Sequence, residues 1–452
     1  MTYQFRSFFK DLAIFMGSVC LSFGAEAGTG AIIRDTEIER DIGEWTKDIM
    51  AAAGMNPSQV DIVLVQSPDV NAFVAGGANI FIYTGLIDLT DDVGQVSGVI
   101  AHELGHIAGG HLTRTAEVGK NASFEAMLGA LVGIGAAIAT GDSSAAAAGI
   151  SIGQGQAMNK FLAYSRVQES SADQAGLRFL TGAGVNPTGL PSFLDKLSSQ
   201  ELLPLSQQSQ FVRTHPLSRD RVEALQHKVE ESPLKLKSYP LEWSDQYLRV
   251  KAKLLAFISP QQVTYRYPSS DTSIPARYAR AISSYRLNQA DAALKQLDGL
   301  IQAEPSNPYF QELKGQILYE FGKAAQSVPP YEKAVALAPD AGLIRMALAQ
   351  SLIESAGNNP QKLQSAIDHL KRAEKDEPRS TQIKRLLATA YGRMGKETEA
   401  RVYLAEEALM RGNRGEAGKM AAAALKQLPA NSSEALRAKD IINTVGDNDK
   451  KQ

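Results

Sequence analysis

The run His102-Glu103-Leu104-Gly105-His106 constrains this chain more than any other feature. Val96, Val99, Ile100, Leu104 and Ile107 form an apolar stripe at helical spacing around it. Thr90, Asp91 and Asp92 stand ahead of it as capping groups, and Gly109-Gly110 follow as a stop. On such a helix residues four apart share a face, so both imidazoles point the same way with a carboxylate between them. That arrangement suits two-histidine coordination of one Zn2+, with Glu103 in reach of a water on the metal. With only six histidines in 452 residues, chance spacing on a surface helix is the weaker explanation.

Two ligands do not complete a catalytic zinc site, which takes three protein donors and keeps one position open. In the extended pattern H-E-x-x-H-x-x-G-x-x-H the third histidine falls at position 112. Gly109 fits, but residue 112 is Leu112 and the histidine is His111. One residue is a swing of roughly 100° about a helix axis, so His111 reads as a helix-end or near-site residue rather than a ligand. The stronger candidates are Glu169 and Asp173, i and i+4 on a second expected helix whose apolar positions are Val167, Ala172, Ala175, Leu177 and Leu180. One carboxylate can ligate while the other accepts the free N–H of a ligating histidine. Taken alone such a pair is usually a solvated helix face; beside H-E-x-x-H it completes a site.

H-E-L-G-H followed by E-S-S-A-D resembles the M48 family of zinc metallopeptidases, whose pattern is H-E-x-x-H plus E-x-x-x-D. The resemblance implies an α+β, mostly helical, gluzincin-type domain that hydrolyses peptide bonds. It implies one Zn2+ per chain held by His102, His106 and Glu169, with Glu103 as general base and Asp173 behind the ligands. Residues 71–86, from Asn71-Ala72-Phe73 through Gly76-Gly77 to Thr84-Gly85-Leu86, resemble the family's strand before the zinc helix, although Ala75 stands where proline is common. Thr214-His215-Pro216 with Arg221 resembles its T-H-P…R element, placing Arg221 near the site. His215 is then either an oxyanion stabiliser or a fourth ligand. Asn71, Phe73, Gly77 and Ile80 lie on a segment that either offers an edge to an extended peptide or forms an ordinary hairpin.

Arg6 and Lys10 precede an apolar run from Leu12 to Phe23, and Ala25-Glu26-Ala27 has the form of a signal-peptidase site. We therefore expect a signal peptide over 1–27, cleavage after Ala27 and a periplasmic protein. Cys20 is the single cysteine, so the exported chain has no thiol for disulfides or for zinc. A formal charge of −2 with 44% hydrophobic residues suits a globular chain and argues against nucleic-acid binding. Between the two site segments, residues 127–158 are rich in Gly, Ala and Ile. They read as a helical hairpin, or as a flap making peripheral membrane contact, and are too short on each side of Gly141 to span a bilayer.

The catalytic features end before residue 232, giving an expected domain over 28–232, a linker helix and repeats over 233–446, and a polar tail over 447–452. Pro305 and Pro339 are 34 residues apart, each expected after a helix pair, with Pro378 next and Gly357-Asn358-Asn359-Pro360 as an insertion. Ala281, Tyr285 and Ala293, then Gly315, Tyr319 and Ala334, then Leu387, Tyr391, Gly395 and Ala400 recur at small and aromatic positions. The spacing is similar to tetratricopeptide repeats, an α-solenoid of about four units between Ala276 and Leu428 plus an extra helix. An exported M48-like domain with such repeats resembles Gram-negative proteases that act in outer-membrane protein quality control. That implies unfolded or misassembled protein substrates and the barrel-assembly machinery as a partner. The competing reading is a repeat-based chaperone or adaptor with a latent or gated zinc site.

Overall fold

The structure, a computed structural model, describes residues 30–111, 155–204 and 207–449. The expected signal peptide, residues 127–154 of the Gly/Ala-rich segment and the last three residues of the expected tail lie outside the described residues. Among them the chain forms two compact units that divide at Ala279/Arg280.

The first unit opens with β1 (Ala31–Ile33) and α1 (Thr36–Ala52). Asp35 caps α1 by accepting from the Ile38 amide at 3.0 Å, and Ile38, Ile42, Trp45 and Ile49, at successive turns, are buried. Three strands follow: β2 (Asp61–Gln66), β3 (Ala72–Ala75) and β4 (Asn79–Tyr83). Their sheet has the order β1-β2-β4-β3, with β2 and β4 parallel and both outer pairings antiparallel. Gly76 and Gly77, at φ +61° and +103°, make the turn from β3 into β4. After α2 (Thr84–Leu89) comes the helix foreseen around His102, α3 (Val93–Ala108). Asp92 caps it through the Gln95 amide, and the Gln95 side chain reaches back to the Asp91 amide at 2.9 Å. Val96, Val99, Ile100 and Leu104 are fully buried, so α3 is a core helix.

The second site helix, α4 (Gly155–Gly182), crosses α3 at very short range. A β-carbon at position 105 would lie 2.6 Å from the Ala172 carbonyl oxygen, and one at Gly176 would lie 3.1 Å from the His102 nitrogen. Glycine at these two positions and alanine at 172 let the backbones approach. Ala172, Ala175, Leu177 and Leu180 are buried as expected, but Val167 is 70% exposed among the described residues. The unit continues through α5 (Gly189–Ser198), α6 (Gln210–Thr214), α7 (Arg219–Glu230) and α8 (Leu241–Ile258). Helix α8, placed in the linker by the sequence, packs here: Trp45 Nε1 donates to Gln246 Oε1 at 2.7 Å and Tyr247 to the Thr90 carbonyl at 2.6 Å. Lys253, buried, bonds both Asp35 and Glu37. The expected boundary at 232 therefore does not coincide with the division between units.

After a single turn, α9 (Val263–Arg266), the remaining helices run as pairs: α10 (Ile274–Arg286) with α11 (Ala290–Ala303), α12 (Pro308–Glu320) with α13 (Ala324–Leu337), α14 (Gly342–Ser355) with α15 (Pro360–Asp376), and α16 (Thr381–Arg393) with α17 (Glu397–Met410). Pro305, Pro339 and Pro378 each follow a pair, and Pro360 starts α15 behind the Asn359 cap. A β-carbon on Gly315 would lie only 2.7 Å from the Tyr331 ring, so the small residue lets paired helices close up. Four pairs end at Met410, earlier than Leu428. Helix α18 (Arg414–Leu425) fills that difference, and α19 (Ser433–Asp449) is the extra helix, continuing into the stretch expected to be tail.

Two expectations follow for stability. Gly105→Ala would favour an open helix by about 1 kcal/mol. Against the Ala172 carbonyl it should instead destabilise by about 1–3 kcal/mol, read as a lower denaturant midpoint. Asp41 is buried, and that burial together with the charge of Glu37 pushes its carboxyl up to about 7 against Arg40 and Lys253. Between its ordinary value near 4 and pH 7 the unfolded chain ionises while the folded chain keeps the proton, so stability falls as pH rises and levels off above 7. Asp41→Asn should come close to wild type at pH 4 and exceed it by about 4 kcal/mol at pH 8 in denaturant titrations at the two pH values.

Candidate metal centre

Four elements deliver the site. Helix α3 presents His102, Glu103 and His106 from one face. The close crossing brings Glu169 and Asp173 of α4 over that face. The turn after α6 carries His215, and α7 carries Arg221. His102, Glu103, Glu169, Asp173, His215 and Arg221 are all buried, whereas His106 is partly open.

The donors converge. His102 Nε2 lies 3.0 Å from His106 Nε2, 3.3 Å from Glu169 Oε2 and 3.4 Å from His215 Nδ1. Glu169 also lies 3.3 Å from His106 Nε2 and 3.2 Å from His215 Nδ1. One donor atom from each of these four residues falls within 4.8 Å of every other. A tetrahedral zinc with bonds near 2.0–2.1 Å separates its donors by roughly 3.3 Å, so the set has the spacing and chemistry of a metal site. Glu103 supports the same fit. Its Oε1 is buried without a hydrogen-bond partner and lies 3.5 Å from His215 Nε2.

The surrounding shell holds the rings. His102 Nδ1 faces Asp173 Oδ1 at 2.9 Å, the contact of an ion pair rather than an aligned hydrogen bond. Asp173 is clamped by Arg221 through two bonds of 2.8 and 2.9 Å, and Arg221 also donates to the Pro216 carbonyl at 2.6 Å. His215 is fixed from its other nitrogen, Nε2 donating to the Ala72 carbonyl at 3.1 Å, and by the Phe211 ring 4.6 Å away. His111 is not among the four donors; its Nδ1 lies 2.9 Å from His106 Nδ1.

Glu103, Glu169 and Asp173 carry three negative charges against the one of Arg221, so with neutral imidazoles the cluster is short by two positive charges. Burial alone pushes Glu169 and Asp173 up and the histidines down. The charges packed together reverse this: Glu169 falls well below the carboxylate range beside His215 and His106, and Asp173 falls beside His102 and Arg221. His102 is pushed up to about 10 by Asp173 and Glu169, and His215 also rises. The field that favours protons here favours a divalent cation, whose binding would release them.

The expected substrate edge needs correction. Strand β4 is paired on both sides and Ile80 is fully buried in the core, so neither offers an edge. Near the site the edge is β3, paired only with β4 among the described residues. Asn71 is buried and ties β3 to α6 through Gln210 and Thr214. Gly77 sits in the turn, and Phe73 is half-buried, stacked on Phe81 at 5.1 Å. Sequence reasoning missed the Ala72 carbonyl as the partner of His215, since a backbone oxygen leaves no residue signature. It also missed the role of Gly105, although a glycine inside a helix costs about 1 kcal/mol and so signals a close approach.

Comparison with known proteins agrees with this geometry. Residues 36–229 match the model of peptidase family M48, and residues 278–342 match a tetratricopeptide repeat model. The chain is similar to the beta-barrel assembly-enhancing protease of Escherichia coli (strain K12), 24% identical over 83% of this chain and 76% of that one. It is 24% identical to the protein of the same name from Yersinia pestis, over 72% of this chain and 67% of the relative. Metalloprotease LoiP of Escherichia coli is 29% identical over 40% of this chain and 67% of its own length. With the histidine and glutamate donors gathered on α3 and α4, the chain is a metallopeptidase with a family M48 domain followed by tetratricopeptide repeats.

Proposed function

We propose that this chain is a zinc endopeptidase that acts in the periplasm on misfolded or stalled outer-membrane barrel proteins, its repeats recruiting substrate or partner. One observation carries the chemistry: His102, His106 and Glu169 converge, and the buried Oε1 of Glu103, without a hydrogen-bond partner, lies beside His215 of the same cluster. The biology is supported by relatives named for enhancing beta-barrel assembly. Among the described residues no helix is long and apolar enough to cross a membrane. By domain, the proposal keeps peptidase residues ahead of 232, lets α8 buttress them, and gives recruitment to the helix pairs.

His102, His106 and Glu169 would hold the zinc, which when bound supplies Lewis acidity to a water and to the scissile carbonyl. Glu103 takes the attacking water's proton and returns it to the departing amine. Asp173 keeps the Nδ1 proton on His102 so that Nε2 is the donor, and Arg221 keeps Asp173 ionised and in place. Backbone groups alternate along a strand, so Ala72 and Val74 direct theirs to the side of β3 away from β4. An extended peptide pairing there would be read through its main chain, with little dependence on side-chain identity.

A second reading is favoured by the position of His215. Its Nδ1 completes the donor set while its Nε2 occupies the Ala72 carbonyl, so both the fourth metal position and part of the strand edge are taken. On this reading the site rests gated by His215, which leaves a chaperone or adaptor role between openings.

Glu103→Gln should retain one zinc per chain by elemental analysis yet digest an unfolded protein about 10²–10⁴-fold more slowly. His102→Ala should lose the zinc. A Glu103→Gln variant as active as wild type would remove the general-base role. His215→Ala separates the two readings of its residue: faster digestion than wild type marks a gate, whereas slower digestion with zinc retained marks an oxyanion stabiliser.

A further inference from the structure

Each histidine of the donor cluster has a second ring nitrogen that needs a partner if the first is to face a metal in one tautomer. For His102 that partner is Asp173, and for His215 it is the Ala72 carbonyl. For His106 the place is taken by another imidazole. His111 Nδ1 lies 2.9 Å from His106 Nδ1, the rings 5.0 Å apart and 79° to each other. His111 is buried, although it follows the end of its helix by only three residues.

The chain is shaped to put it there. Helix α3 stops at Ala108, and Gly110 at φ +60° reverses the backbone through the left-handed region. His111 then folds back over the helix end. Gly109 has an ordinary φ of −72°, open to any residue, yet a β-carbon there would overlap His111 Nε2 and lie 2.7 and 2.8 Å from Cδ2 and Cε1. A side chain at position 109 would thus have to displace the imidazole from where it lies.

We propose that His111 is a positioning residue that holds His106 as the Nδ1-protonated tautomer, leaving Nε2 as the metal donor. It rests on the zinc reading above. The proton count closes: neutral His106 donates Nδ1–H to an unprotonated Nδ1 of His111, whose own proton sits on Nε2. The role is the one Asp173 plays for His102, taken by an uncharged acceptor where the site is partly open.

The test is zinc affinity of the full chain by competition with a chromophoric chelator, with the cobalt absorption spectrum as a second readout. His111→Leu should weaken zinc about 10–100-fold and alter the cobalt spectrum. His111→Asn, whose Oδ1 stands where Nδ1 stood, should recover most of that affinity. Gly109→Ala keeps every histidine but displaces the ring, and should resemble His111→Leu. Thermal melts of the metal-free variants identify any that fail to fold, and the Asn and Gly109 variants then carry the comparison. His111→Leu binding zinc like wild type overturns the proposal, as does an Asn variant no better than Leu, which would leave the ring a packing role. A wild-type chain that binds neither metal overturns the zinc reading, and this proposal with it.

Discussion

The close crossing of α3 and α4 is the contact on which the site depends. Gly105 and Gly176 let the helix backbones meet at Ala172 and at the amide of His102, nearer than side chains normally allow. Glu169 stands one turn before Ala172 and Asp173 lies between Ala172 and Gly176, so the approach brings Glu169 onto both histidines and Asp173 onto His102. Moving the helices apart by the width of a methyl group would leave a buried carboxylate pair without its partners, a costly state. The glycine inside H-E-L-G-H is thus as much a part of the site as its histidines.

Two clusters of buried charge tie the first unit together among the described residues. At the metal centre three carboxylates face one arginine and three imidazoles, a balance suited to a divalent cation. At the start of α1, Lys253 joins Asp35 and Glu37, and Tyr278 donates to Glu37 at 3.0 Å. This second cluster does no chemistry in our reading. It ties α8 to the N-terminal end of the unit, which is why the segment after residue 232 packs with the peptidase fold. The helix pairs use similar devices on a partly exposed face: Glu374, Lys384, Glu406 and Arg437 interlock α15, α16, α17 and α19, with the Arg437 guanidinium over the Tyr403 ring.

Much of this was legible in order along the chain. The i, i+4 spacing announced both site helices, and Pro305, Pro339 and Pro378 marked the ends of helix pairs, because proline cannot continue the preceding hydrogen-bond ladder. The Asp92 cap and the Gly109-Gly110 stop fell where local chemistry placed them. Legibility failed where burial is decided by neighbours distant in sequence. Val167 fits an apolar pattern but finds nothing to pack on among the described residues, and Ile80 lies inside the sheet because β2, nearly twenty residues earlier, pairs alongside β4. Strand order cannot be read from a strand's own residues, since every strand has two sides to pair.

By itself the sequence determined the donor types, their helical phase, the acid between them and the repeating pairs, since each depends on residues a few positions apart. Tertiary structure alone decided which atoms meet. It set Glu169 and His215 beside His102, gave Asp173 to Arg221, left β3 paired on one side alone among the described residues and turned His111 onto His106. The reason is physical: spacing along one helix fixes direction through backbone geometry, whereas contact between elements depends on how closely they pack, and here that distance is set by glycines.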